Sequence, residues 1–180
     1  MLTIVVPERE MYDEVNNEFS YTKETTLQLE HSLISLSKWE QKWHKAYLAD
    51  NSKTREEILD YIRCMTISSN VDRQVYNCMT DENIRDIVSY IQNPMTATTF
   101  SDIHKEPRTN EVYTAELIYY SMIAAGVPFS CEKWHLNKLL TLLRVCSIKN
   151  KPPEKIPKGK LMERNRRLNM ERRNRLKSRG

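Results

Sequence analysis

Cys131 and His135 stand four residues apart in a stretch that reads as helix, so both side chains can face one metal ion. Two ligands do not complete a site. Structural zinc takes four, and Cys64, Cys78, Cys146, His31, His44 and His104 come in no paired spacing. Reduced, buried cysteines acting as small hydrophobes are the better reading. A Cys–His hydrolase would also need an orienting carboxamide or carboxylate and an oxyanion hole, and no local motif supplies them. The acids Glu56, Glu57 and Asp60 could be drawn around magnesium, but carboxylates in the first turn of a helix are more simply partners of its dipole. The expectation is a chain with no catalytic residues, no metal and no cofactor.

Two constellations suit binding instead. Trp39, Trp43 and Tyr47 recur at i, i+4 and i+8, and Ser37 with Glu40 reads as a capping box, which together predict a helix from about Lys38 to Leu48. Such a stripe is either core or a contact for a partner protein, and Lys38, Lys42 and Lys45 beside it leave an exposed rim. Trp39, Trp43 and Tyr47 are therefore the candidate protein-binding residues. The second constellation is basic: Arg164, Arg166, Arg167, Arg172, Arg173 and Arg175, with Lys158, Lys160, Lys177 and Arg179 around them. These are the candidates for nucleic-acid or polyanion binding, and with no aromatic residue beyond Trp134, any such contact is directed at the backbone rather than stacked on bases.

That basic run divides the chain. Residues 149–180 hold thirteen Lys and Arg against three acids, whereas residues 1–148 hold fifteen against twenty-one, so an acidic body carries a cationic arm. Apolar residues make up 39% and charged ones 29%, which predicts a modest core under a heavily solvated surface. No run approaches the roughly 18 to 20 apolar residues of a membrane span. The opening Met-Leu-Thr-Ile-Val-Val has no basic flank and is cut short by Pro7, which predicts a cytosolic chain. Three glycines are too few for the usual phosphate-cradling loops.

The expected architecture is mainly α: a single helical domain with a small N-terminal β element and a basic C-terminal helical arm. Leu2 to Val6 and Thr25 to Glu30 read as strands, with Pro7 to Glu24 polar and irregular around an Asn16-Asn17 turn. Thr54 with Glu57 opens a helix to about Ile67, and Thr80 opens another that Pro94 stops. Met95 to Thr99 reads as a short strand and Ser101 to Asn110 as a loop. A helix from about Thr114 to Ala125 ends at Gly126. Cys131 to Val145 is the most apolar helix and the expected centre of the core. Three prolines from Lys151 to Pro157 form a stiff spacer before an arm helix over Gly159 to Arg179. No internal repeat stands out.

Four segments carry a family resemblance: Leu36-Ser37-Lys38-Trp39-Glu40-Gln41-Lys42-Trp43-His44-Lys45, Asp60-Tyr61-Ile62-Arg63-Cys64-Met65-Thr66, Asn93-Pro94-Met95-Thr96-Ala97-Thr98 and Lys133-Trp134-His135-Leu136-Asn137-Lys138-Leu139-Leu140. They resemble tail assembly chaperones of tailed bacteriophages, over about Thr25 to Arg173. The resemblance implies a non-enzymatic morphogenesis protein that binds a phage structural protein, the tape-measure or another tail or head component, in the host cytoplasm during assembly. The alternative is a virion component, a connector or capsid-lining protein, whose arm contacts packaged DNA; an oligomer fits either, and a Cys–His enzyme stands third.

Overall fold

A computed structural model describes residues 1–13, 18–49, 52–100, 112–150 and 158–176. The chain is mainly α, with a two-stranded β ribbon at its start, and it divides into two compact units, Met1–Ile148 and Lys149–Gly180. Strand β1 (Leu2–Val6) pairs antiparallel with β4 (Thr25–Leu29), and β2 (Arg9–Asp13) pairs with β3 (Glu18–Thr22). Val6 faces Thr25 and Arg9 faces Thr22, so one register runs through both ladders and they are halves of one long hairpin. The segment expected to be irregular is therefore largely β, because its alternating polar and aromatic residues suit a strand. The Asn16-Asn17 turn lies outside the described residues. Ile4, Val6, Leu27 and Leu29 turn inward from β1 and β4, the period-2 burial of a half-buried pair.

Helix α1 (Leu33–Trp43) starts five residues earlier than its sequence suggests. Its cap is Ser32, whose hydroxyl accepts from the Ser35 amide while the Ser35 hydroxyl accepts from the Ser32 amide. A Ser–Ser box thus replaces the expected Ser37–Glu40 box. The helix also ends earlier, at His44, which takes the left-handed conformation at φ 52°. Helix α2 (Arg55–Met65) opens on the reciprocal Thr54–Glu57 box and α3 (Asp81–Gln92) on a Thr80–Asn83 box. Between them Arg73–Cys78 forms a 3-10 turn. Met95 to Thr99 is not a strand: the Asn93 and Thr96 side chains accept from the amides of Met95 and Thr98, a local alternative to ladder bonding.

Helix α4 (Ala115–Ala125) closes at Gly126, whose φ of 67° relieves the strain any side chain would meet there. The expected long apolar helix is broken: Phe129–Lys133 is a 3-10 turn, and α5 (Leu136–Asn150) begins only after Trp134 and His135. Leu136 and Leu139 are its buried residues, so α5 is not the centre of the core. That place belongs to α1, which buries Leu33, Leu36 and Trp39 and packs on α2, α4 and the Phe129–Lys133 turn. Each of those leucines gains about 1.5–3 kcal/mol from burial. The spacer expected over Lys151 to Pro157 and the loop expected over Ser101 to Asn110 lie outside the described residues. Helix α6 (Lys158–Leu176) belongs to the second unit.

Candidate interaction surfaces

The aromatic trio comes together, but it faces inward. Trp39 is 1% exposed, and its indole Nε1–H donates to the Glu57 carbonyl at 2.9 Å. Because α1 ends at Trp43, Tyr47 is off the helix and folds back to stack on Tyr61, with centroids 3.7 Å apart, while meeting the Trp39 ring edge-on. Trp43 is half-buried, and its indole donates to Asp60 at 2.9 Å. Trp39 therefore offers no surface to a partner in this conformation, and Trp43 and Tyr47 offer only their edges.

Charged groups close this cluster. Lys42 meets Asp60 and Lys45 meets Glu57. Burial pushes the Asp60 carboxyl up, but hydrogen bonds from Lys42 and Trp43 outweigh it and hold the group below its usual range. The Lys45 ammonium, then the Thr54 amide, hold Glu57 down likewise. Glu40 does something its position in a supposed capping box would not suggest: its two oxygens accept from the Tyr47 amide at 2.9 Å and the Ala115 amide at 2.7 Å. It is a buried tie between the end of α1 and the positive end of α4. Glu56, Glu57 and Asp60 thus work as dipole partners and ion pairs.

His31 and His135 meet edge-to-face at the junction of ribbon, α1 and α5, with centroids 5.2 Å apart. His135 donates from Nε2 to the Tyr90 carbonyl and accepts at Nδ1 from the Asn137 amide, so both nitrogens are committed to backbone. His31 Nδ1 and the Tyr61 hydroxyl share a hydrogen bond of 2.6 Å. Burial, then the neighbouring His135, lowers His31 to about 3. Burial also lowers His135. Cys131 is buried within the Phe129–Lys133 turn, and burial pushes the Cys64 thiol up, Asp60 adding to it. Among the described residues no three His, Cys, Asp or Glu side chains gather as a metal site.

The outward surface that sequence reading missed is on α4. Ala115, Ile118 and Met122 face the core, yet the opposite side carries Tyr120 at 69% and Ile123 at 63% exposure, and Phe129, in the turn that follows, is 57% exposed. The Tyr119 and Phe129 rings lie 6.2 Å apart and join the helix to the following turn. A helix apolar on both sides is a signal of two burials, of which the fold supplies one. That signal was present in the sequence as an absence of polar periodicity across Leu117 to Ala125.

On α6, every side chain from Met162 to Leu176 is exposed, including Arg164, Arg166, Arg167, Arg172, Arg173 and Arg175. Arg167 lies 3.8 Å from Glu171, one turn on. No helix among the described residues is long and apolar enough to cross a membrane. No protein-family model, no curated protein and no solved structure matches the chain.

Proposed function

We propose that the chain is a non-enzymatic bacteriophage morphogenesis protein of the tail assembly chaperone kind, binding another phage structural protein in the host cytoplasm during assembly. The observation that carries this reading is the exposed apolar pair on the outer face of α4, Tyr120 and Ile123, with Phe129 exposed in the turn that follows. A chaperone that keeps an apolar partner helix soluble needs such a surface on a heavily solvated body. The four resembling segments supply the phage setting. The non-enzymatic part of the reading is supported by how the nucleophiles and bases are used: His135 spends both ring nitrogens on backbone, and burial raises the Cys64 thiol when a nucleophile needs it lowered.

The contact surface accordingly moves from Trp39 to α4. Co-expression with the tape-measure protein of the same phage tests it: the wild-type chain keeps that partner soluble, and Tyr120→Ser with Ile123→Ser releases it while the body stays folded. Retention of the partner by that double variant would contradict the reading. A second reading, a virion component whose arm contacts packaged DNA, is favoured by the fully exposed arginines of α6. Mass spectrometry of purified particles separates the two, since a transient chaperone is absent from them and a connector is present at ring-like copy number.

A further inference from the structure

Below the scale of a domain repeat, the arm carries a short pattern of eight residues. Met162-Glu163-Arg164 and Arg167-Leu168 return as Met170-Glu171-Arg172 and Arg175-Leu176. Eight residues make two turns plus about 80°, so the repeat does not prolong a single stripe. It preserves the relation between residues four apart: Glu163, Arg167, Glu171 and Arg175 form one alternating column, in which Arg167 and Glu171 are in contact. The six candidate arginines therefore divide into two kinds, those in a column with acids and those outside it.

Placement around the helix gives the division a meaning. At about 100° per residue, Arg164 and Arg172 fall on one flank, and Arg166 and Arg173 fall on another roughly 150° away. Asn165 and Asn169, one turn apart, lie on the front between these flanks, with Met162 and Leu176 beside them. Glu163, Arg167 and Glu171 occupy the back, and Arg175, at the end of their column, falls beside Arg164. Cations on two sides, carboxamides with two apolar side chains between them and acids toward the back form the cross-section of a helix lying in a groove walled by phosphates.

We propose that α6 enters the major groove of B-form duplex DNA, Arg164 and Arg172 holding the phosphates of one wall, Arg166 and Arg173 those of the other, and Asn165 and Asn169 facing the base edges. The groove is about 12 Å wide and admits an α-helix. Asparagine is the side chain whose carboxamide pairs with adenine N6 and N7. A protein groove fits less well, because a docking helix needs apolar anchors at i+3, i+4 and i+7. From Leu168 those positions hold Glu171, Arg172 and Arg175, and the other leucines, Leu161 and Leu176, lie two turns away as one thin stripe. Single strands are bound on aromatic platforms, and no aromatic residue follows Trp134. The major groove of duplex RNA is too deep and narrow for side chains to read.

Fluorescence anisotropy of a short labelled DNA duplex, titrated with the full chain across a salt series, tests this. With all four flank arginines changed to Gln, the salt slope becomes shallower by about 3 to 4 units and binding weakens by more than about 100-fold at low salt. The same four changed to Lys keep the slope, which separates loss of charge from loss of helix. Arg167→Gln, on the back, shifts the slope by less than about one unit. Asn165→Ala with Asn169→Ala keeps the slope and removes any preference for adenine-containing over purely G·C duplexes. A slope that survives the four Gln changes, or tighter binding of duplex RNA or polyglutamate than of duplex DNA, overturns the proposal. Those results leave the α4 reading standing, because its variants are scored on partner solubility.

Discussion

Helices α4 and α6 depart from amphipathicity in opposite directions. α4 is apolar on the face toward the core and on the face toward solvent, with Ile118 and Met122 buried and Tyr120 and Ile123 exposed. α6 is polar nearly all round, and its described side chains are exposed on every side. A helix of an isolated globule normally matches one apolar stripe to one core and gives the rest to water. Each of these helices is over-supplied for that purpose, one with apolar area and one with positive charge. On the proposed reading that surplus is the part of the sequence that meets a partner, and its chemistry differs between the two.

The comparison breaks most visibly inside the body, where aromatic side chains are structural. Trp39→Ala removes an indole that is 1% exposed together with its bond to Glu57, and is expected to cost about 3–5 kcal/mol in denaturant unfolding. A loss under about 1 kcal/mol would mean that Trp39 is not core. Stability should also depend on acid. His31, packed against His135 and Tyr61, has its folded pKa lowered to about 3 by burial, whereas the unfolded histidine stays near its ordinary value. The unfolded state therefore binds the proton first as pH falls. Stability is fully present above about pH 6.5 and declines toward pH 3 by at most about 1.4 kcal/mol per pH unit for this group. A pH series of chemical melts reads that slope, and His31→Gln should flatten it.

Glu40→Gln is next in size. It leaves the amides of Tyr47 and Ala115 competing for one carbonyl oxygen and is expected to destabilise by about 1–3 kcal/mol, seen as a lower denaturation midpoint with the fold retained. On the surfaces the effects on folding shrink. Tyr120→Ser with Ile123→Ser should change stability by no more than about 0.5 kcal/mol per site while abolishing partner solubilisation. Least of all, Glu171→Gln should lower the helicity of the arm by circular dichroism, in line with about 0.2–0.5 kcal/mol for its pair with Arg167.

What could be read from sequence was what depends on neighbours three or four residues away. Thr54 with Glu57 marked α2, Pro94 and Gly126 marked two helix ends, and the charge run marked the arm. What could not be read depends on distant partners. Ser37 and Glu40 look like a capping box, but Glu40 is drawn to Ala115, seventy-five positions on, and the cap is made by Ser32 and Ser35. Trp39, Trp43 and Tyr47 keep helical spacing on paper, yet the left-handed His44 ends the helix between the second and the third. Leu142, Leu143 and Val145 suggested a core helix, although the fold centres on α1 and leaves them half-buried. The α4 surface escaped because an all-round apolar helix looks like core until the structure reveals only one face covered.

The central claim is that two helices of this chain serve two partners by independent chemistry. The most direct measurement is the salt dependence of duplex-DNA affinity, compared among the wild-type chain, the Tyr120→Ser, Ile123→Ser variant and the four-arginine variant. The expected result is one steep slope shared by the first two and a shallow one for the third. Equal slopes in all three, or a slope lost through the α4 substitutions, would contradict it.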